Sequence, residues 1–221
     1  MRFLAATLLL ASVLGAAEPP APRRVMAIGD SITQGGGATF ATYRVVLAAK
    51  LQAAGLRCDF VGSQVAATPH GPLRHEGYGG KNAEFLAGIL EAKLTAAPAD
   101  ILMIQAGHNH FAEEKPVPGI LAATRAMVAT ARQRNPKVVV VIAQVTPAGK
   151  LPKYSYIPEL NLALAALAKE LDRPEQRVVS VDLATGFDVA TDTIADRVHP
   201  NARGAEKIAQ RWADALTPWL K

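Results

Sequence analysis

Five short apolar segments, separated by longer amphipathic stretches, constrain what this chain can fold into. Two of them, Ile101 to Gln105 and Val138 to Ala143, are apolar almost throughout. They lack the polar alternation of a half-exposed strand, which indicates strands buried on both faces of a parallel sheet. The other expected strands are Val25 to Ile28, Cys58 to Val61 and Val178 to Val181.

The stretches between the apolar segments have the apolar spacing and end signals of helices. The expected helices are 43–54, 82–97, 118–134, 157–171 and 200–220. Pro118 and Pro200 suit first-turn positions, and Gly55 suits a helix end. Because five strands alternate with helices, the sequence predicts one α/β domain over residues 24–221, a three-layer α/β/α sandwich with a five-stranded parallel sheet.

The N-terminus has the features of an export signal. A positively charged start precedes the apolar segment Phe3 to Leu14, and the small residues Gly15 to Ala17 suit a cleavage site. That apolar segment is short for a membrane span. We therefore expect a signal peptide over residues 1–17, a Pro-rich lead-in over 18–23, a secreted or periplasmic protein and no stable membrane association.

Composition excludes several classes of protein. The 221 residues are 50% hydrophobic and carry a formal charge of +5, with lysines and arginines scattered rather than clustered. This distribution is unlike a nucleic-acid-binding surface, and we expect no nucleic-acid partner. Cys58 is the one cysteine, so no intramolecular disulfide can form, and we expect a packed structural thiol and a monomeric protein.

Polar, glycine-rich segments follow the expected strands. In a parallel sheet, ligands bind outside the carboxyl ends of the strands, so these segments would meet in one crevice. They contain all five histidines of the chain: His70, His75, His108, His110 and His199. The first of these segments, "GDSITQGGG", places Ser31 just beyond the first strand.

These segments hold the groups that nucleophilic catalysis requires. Ser31 needs a base, and His199 in "DRVHPNARG" is the candidate, with Asp196 three residues earlier as its carboxylate partner. Asp188 and Asp192 lie in the same segment and are alternative partners. Backbone amides of the "GYGG" glycines, the Ser31 amide and the side chain of a crevice asparagine in "GHNH" would supply oxyanion donors.

Four short motifs resemble the blocks of the SGNH hydrolases, also called GDSL-like esterases. They are "GDSIT", the glycine after "HEGY", "GHN" and the terminal "DRVHP", in the family's order. The resemblance implies the flavodoxin-like SGNH fold, no cofactor and no metal. It also implies the residue roles: nucleophile Ser31, triad partners Asp196 and His199, and oxyanion donors Gly80, Asn109 and the Ser31 amide.

The sequence departs from this family pattern in two places. His110 follows Asn109, where relatives commonly have an aspartate that supports the loop. Either the histidine replaces that support or the loop is looser. Gly79 stands where relatives often have serine, which leaves Gly79 as an alternative to Gly80 as the oxyanion donor.

Within this superfamily, the sequence is similar to the acetylxylan esterases of carbohydrate esterase family 3. The similar segments are "GDSITQGGGATFATYR", "DFVGSQ", "HEGYGG" and "VHPNARGAEKIA". This resemblance implies a substrate that is an acetylated polysaccharide or oligosaccharide, whose acetyl esters the protein hydrolyses.

Three other functions remain open. A general acyl esterase, lysophospholipase or thioesterase would use "TPAGKLPKYSYIP" to line an acyl groove. The run His108 to His110 allows a metal-dependent hydrolase, although no HExxH motif accompanies it. A non-catalytic glycan-binding protein would use the aromatic residues near the crevice. The absence of G-x-S-x-G argues against an α/β-hydrolase.

Overall fold

A central sheet organises the structure, a computed structural model that describes residues 21–37, 39–69 and 71–221. The expected signal peptide, the start of the lead-in and His70 lie outside these described residues. Seven strands form the sheet. They are β1 Arg23–Gly29, β2 Cys58–Val61, β3 Gln64–Thr68, β4 Gly71–Gly77, β5 Ile101–Gln105, β6 Val139–Gln144 and β7 Val178–Asp182.

Most of the sheet is parallel. The strand order is β3-β4-β1-β5-β6-β7, and β2 also pairs with β1. The first half of β1 pairs with β2, and its last residues, Ile28 and Gly29, pair with Glu76 and Gly77 of β4. The β3 strand alone runs antiparallel, as the partner of β4 in a hairpin.

The α/β sandwich is confirmed, but the expected count of five strands was wrong. The two additional strands form the β3–β4 hairpin, in a segment that we interpreted as a crevice loop. All five residues of β3 are exposed or half-buried, and in β4 only Leu73 and the last three residues are buried. The hairpin therefore lacks the apolar run by which the other strands were recognised.

Seven α-helices and one 3₁₀ turn, over Ala112–Glu114, connect the strands in the described part of the chain. The helices are α1 Ser31–Gln34, α2 Tyr43–Ala53, α3 Ala83–Ala96, α4 Val117–Arg134, α5 Ile157–Leu171, α6 Val189–Asp192 and α7 Ala202–Leu220. Pro118 lies in the first turn of α4, as expected. The expectation for Pro200 was wrong, because Asn201 caps α7 and Pro200 lies before the helix.

The helices cover both faces of the sheet. On one face, α3, α4 and α5 pack against alternate strand residues such as Ile28 and Ile104. On the other face, α2 and α7 pack against the intervening residues such as Ala27 and Met103, with Trp212 fully buried. Both faces of the parallel strands are thus removed from water, which explains their unbroken apolar sequence.

Cys58 is free and half-buried. Burial raises the pKa of its thiol to about 11, as does, to a lesser extent, the nearby Asp59 carboxylate. A thiol with this pKa stays protonated near neutral pH and is a poor nucleophile. Separately, no helix in the described ranges has the length and apolar character needed to cross a membrane.

A buried carboxylate holds the segment between β7 and α7. Asp192 has no exposed side-chain surface, and its Oδ2 accepts hydrogen bonds from the Asp188 amide at 2.7 Å and Lys207 Nζ at 2.6 Å. Its Oδ1 lies 3.0 Å from Arg203 Nε. Burial opposes ionisation of Asp192, but the hydrogen bonds and the two cations outweigh it, and its pKa is lowered.

We predict that Asp192→Asn lowers the free energy of unfolding by about 2 kcal/mol at pH 7, because a charged hydrogen-bond acceptor is lost. The native carboxylate has a lower pKa than the unfolded one, so its contribution is complete above the unfolded value near 3.9. It is lost as pH falls through the lower native pKa. Chemical unfolding of both proteins between pH 2.5 and 7 measures this, and a pH-independent difference would contradict it.

Candidate active site

Ser31 begins a short helix directly after β1. The preceding residue, Asp30, caps this helix, and its Oδ1 accepts the Ile32 amide at 2.9 Å. A side chain at Gly29 would collide with the Thr33 hydroxyl and the Gln105 carbonyl, at 2.3 and 2.6 Å from its Cβ. Close packing of this turn therefore requires glycine before the Asp-Ser pair.

Arg44 of α2 holds the other end of α1. Its guanidinium is buried and donates to the carbonyls of Thr33 and Gln34, the latter at 2.8 Å. Burial lowers the pKa of Arg44 to about 10, which still leaves it charged at neutral pH. A cation at the last carbonyls of a helix also stabilises it electrostatically. Ser31 is therefore presented by a turn that is anchored at both ends.

A chain of hydrogen bonds connects Ser31, His199 and Asp196. The His199 Nε2 lies 2.8 Å from Ser31 Oγ, and its Nδ1 lies 2.5 Å from Asp196 Oδ2. The other carboxylate oxygen, Oδ1, accepts the amides of Val198 and His199 at 2.9 and 3.0 Å. The structure thus brings together the serine, histidine and aspartate that the sequence predicted. The histidine lies between the other two, as it must if it is the base for the serine and the aspartate orients it.

Hydrogen bonds favour the ionised form of Asp196, and a bend in the backbone places it beside His199. Burial opposes ionisation, but the hydrogen bonds from the His199 ring and the two amides outweigh it, so the pKa of Asp196 lies below its ordinary value. Arg197, between Asp196 and Val198, has a left-handed conformation with φ of 62°. This bend lets one short loop present both the carboxylate and the imidazole.

The alternative acids make other contacts. Asp188 caps α6, where its Oδ1 accepts the Ala190 amide at 2.7 Å. Both oxygens of Asp192 are occupied by the groups described above. In this structure, therefore, Asp196 is the carboxylate that contacts the His199 ring.

Three N–H groups beside Ser31 are available to an oxygen atom. The amide of Gly79 donates to Gln34 Oε1 at 2.5 Å, whereas no acceptor in the described chain engages the amides of Ser31 and Gly80. Asn109 donates one Nδ2 hydrogen to the Lys81 carbonyl at 3.0 Å, which leaves its second hydrogen free. Of the two candidate glycines, Gly80 thus has the free amide.

A cavity of about 430 Å³ joins these groups. Ser31, His199, Gly80 and Asn109 line it together. Its apolar wall consists of Ile32, Phe40, Tyr154 and Val198. A larger cavity of about 580 Å³ lies between α2 and the β2–β4 region, but it contains none of the serine, histidine and aspartate groups above.

Two residues beyond the expected triad and oxyanion donors contribute to this site: Gln34, which was not among the sequence-based candidates, and Phe40, considered there only as one of the aromatic residues near the crevice. The ring of Phe40 stacks on the His199 ring, with centroids 4.2 Å apart. Gln34 occupies the Gly79 amide and so distinguishes it from Gly80. The sequence signal for both was weak, since each is only one of several residues in the segment after the first strand.

His110, the residue after Asn109, lies between acidic side chains. His110 is buried between two carboxylates, with Nε2 3.1 Å from Glu84 Oε2 and Nδ1 3.4 Å from Glu114 Oε2. At this departure from the family pattern, the His110 imidazole therefore contacts the carboxylate of Glu84 from α3 and that of Glu114 from the 3₁₀ turn. Among the described residues, no group of three histidine, cysteine or acidic side chains is arranged to hold a metal ion.

One family model and several solved structures are similar to this chain. Residues 27–207 match the model of the GDSL-like Lipase/Acylhydrolase family. A carbohydrate esterase family 3 protein from Talaromyces cellulolyticus is 25% identical with a TM-score of 0.79, covering 90% of this chain and 98% of that one. An acetyl esterase mutant with an acetate ion gives the same values.

A family 3 carbohydrate esterase from Clostridium thermocellum is also similar, at 25% identity and a TM-score of 0.75, covering 91% of this chain and 100% of that one. No curated protein matches the chain significantly. The family match spans most of the chain, including Ser31, Gly80, Asn109, Asp196 and His199. The chain therefore belongs to the GDSL-like lipase/acylhydrolase family and is a carboxylic ester hydrolase.

Proposed function

We propose that this protein is a secreted serine esterase that removes acetyl groups from an acetylated polysaccharide or oligosaccharide. The observation that carries the proposal is the chain of hydrogen bonds from Ser31 through His199 to Asp196, beside a cavity with three free N–H groups. The protein acts as a monomer and without a cofactor. Export rests on residues 1–17.

In the proposed acylation step, Ser31 Oγ attacks the ester carbonyl and transfers its proton to His199 Nε2. Asp196 keeps the Nδ1 proton of His199 in place and stabilises the imidazolium that forms. The negative oxygen of the tetrahedral intermediate accepts hydrogen bonds from the amides of Ser31 and Gly80 and from Asn109 Nδ2. When the intermediate collapses, its C–O bond to the sugar breaks, His199 gives the proton to the departing sugar oxygen, which leaves as a hydroxyl, and the acyl group stays on Ser31.

Deacylation repeats these steps with water as the nucleophile. His199, neutral again, removes a proton from the water, and the resulting hydroxide attacks the acyl carbonyl. The same three N–H groups stabilise the second tetrahedral intermediate. Its collapse returns the proton to Ser31 Oγ and releases the carboxylic acid.

Two observations support a small acyl group on carbohydrate. The family 3 carbohydrate esterases and the acetyl esterase above are similar over nearly their whole length. In addition, the Phe40 ring stacks on the His199 ring and lines the cavity, so it takes up space beside the catalytic base.

A second candidate is an esterase for longer acyl chains. In the segment "TPAGKLPKYSYIP", which could line an acyl groove, Leu151 is 70% exposed and follows the cavity-lining Lys150. Phe111, near the oxyanion asparagine, is also 51% exposed. Exposed apolar side chains beside a catalytic pocket are typical of surfaces that bind an apolar ligand.

Substitution of the three linked residues tests the mechanism. We predict that Ser31→Ala and His199→Ala each reduce kcat on 4-nitrophenyl acetate by about 10⁶-fold, and that Asp196→Asn reduces it by about 10⁴-fold. Asn109→Ala removes one oxyanion donor and should cost about 10²- to 10³-fold. Asp188→Asn, which keeps the side-chain cap of α6, is the matched acidic control and should retain wild-type kcat. The assignment of the acid is wrong if these two aspartate variants exchange their effects.

Chain-length selectivity separates the two substrate classes. On 4-nitrophenyl esters from acetyl to octanoyl, we predict that kcat/KM falls steeply beyond acetyl, and that acetylated xylan releases acetate. Ser31→Ala is the blank in both assays. Equal or better hydrolysis of octanoyl ester would favour the second candidate, and glycan binding without Ser31-dependent hydrolysis would indicate a non-catalytic role.

A further inference from the structure

A further histidine–carboxylate contact, between Asp30 and His108, lies beside the candidate site. Asp30 and His108 are 1% and 2% exposed, and Asp30 Oδ2 lies 3.5 Å from His108 Nδ1. Asp30 directly precedes Ser31, and His108 directly precedes Asn109. The mechanism above uses neither side chain.

The two ring nitrogens of His108 have different neighbours. His108 Nε2 lies 3.0 Å from the Thr146 carbonyl oxygen, which can only accept, so Nε2 carries a hydrogen. Asp30 Oδ2 and His108 Nδ1 have no standard hydrogen-bond partner among the described residues, and they lie 3.5 Å apart. A lone pair opposed to a carboxylate would be strongly unfavourable in a buried site. The two side chains can therefore hold each other in place only with a hydrogen between Nδ1 and Oδ2.

The contact connects the ends of three strands. Asp30 follows β1 and also caps α1 through its other oxygen, which accepts the Ile32 amide. His108 lies beyond β5, and Thr146 lies beyond β6. The ring of Tyr154 packs edge-on against His108, with centroids 5.7 Å apart. The nucleophile turn, the asparagine loop and the loop lining the cavity are thus held to one another at this point.

The asparagine loop needs such an anchor. Asn109 has a left-handed backbone with φ of 67°, a conformation that few non-glycine residues adopt and that surrounding contacts must maintain. Its side chain has one hydrogen bond, to the Lys81 carbonyl. The adjacent residue, His108, lines the cavity, and its Nε2 and Nδ1 lie next to the Thr146 carbonyl and the Asp30 carboxylate.

We propose that Asp30 and His108 form a positioning couple that keeps the Ser31 amide and the Asn109 side chain at the separation required to bind one oxyanion. Both act through their neighbours in the chain and neither contacts the reacting atoms. The inference rests on the proposed role of Ser31 as nucleophile. It assigns a function to the histidine immediately before the oxyanion asparagine.

Two substitutions of Asp30 separate the couple from the helix cap. Serine caps a helix as well as aspartate does, but Asp30→Ser cannot reach His108. Asp30→Asn keeps the cap and can donate from Nδ2 to the unprotonated Nδ1 of a neutral His108. On 4-nitrophenyl acetate, we expect Asp30→Ser to lower kcat by about 10²-fold with KM within about threefold of wild type. Asp30→Asn should retain at least about a third of wild-type kcat.

A complementary substitution removes the histidine but keeps its bulk. His108→Phe preserves packing against Tyr154, loses the hydrogen bond of Nε2 and the contact with Asp30, and should also lower kcat by about 10²-fold. Combined with Asp30→Ser, it should cost little more than either single change, because residues that act as one unit are non-additive. Thr124→Val, a buried hydroxyl on α4 that bonds the Ile120 carbonyl, is the control and should leave kcat unchanged.

The outcomes distinguish this inference from the proposed function. If wild-type protein shows no Ser31-dependent hydrolysis, both are wrong. If wild type is active and Asp30→Ser matches Asp30→Asn in kcat, the positioning couple alone is wrong. The positioning couple is also wrong if the losses in kcat of Asp30→Ser and His108→Phe multiply fully in the double variant. Thermal unfolding of every variant, with assays well below each midpoint, ensures that kcat reports folded protein.

Discussion

Parallel pairing of β1 with β5 is the constraint on which the rest of this structure depends. The register runs from Val25 opposite Ile101 to Gly29 opposite Gln105, so the two strands end side by side. Beyond those ends the chain continues into the nucleophile turn on one strand and the asparagine loop on the other. Since β1 also pairs with β2 and β4 on its opposite edge, the site forms at the point where the strand order reverses, the usual ligand position in such sheets.

A separate, local arrangement delivers the base to this position. The loop before α7 is held by Asp192 and by a hydrogen bond from the Asn201 amide to the Asp192 carbonyl at 3.0 Å. The Pro200 carbonyl also accepts the Ala41 amide at 3.2 Å, which connects the loop to the segment beyond Ser31. His199, 168 residues from Ser31 along the chain, therefore approaches the serine as part of a rigid loop rather than as a mobile side chain. Rigidity of this kind is what a base needs to hold a productive geometry.

The predictable part of the fold was the part with an apolar signature. The expected bounds of β2, β5 and α5 agree with the structure, because unbroken apolar runs and helical spacing mark buried elements directly. The β3–β4 hairpin gave no such signal, since its buried residues, Leu73 and His75 to Gly77, do not form an apolar run. Pro200 was misplaced for a different reason. Its neighbour Asn201 caps α7 with a side chain that also bonds the Thr191 and Thr193 carbonyls.

For the site, the sequence by itself determined the residue types and their order along the chain: a serine after the first strand, an asparagine after a later one, and an acid and a histidine before the last helix. It left open which of Asp188, Asp192 and Asp196 meets the histidine and which of Gly79 and Gly80 has a free amide. Those choices depend on hydrogen-bond partners from elsewhere in the chain, such as Lys207 on Asp192 and Gln34 on Gly79. Only the tertiary structure decides them, because each contact forms between segments that the sheet brings together and that sequence spacing does not relate.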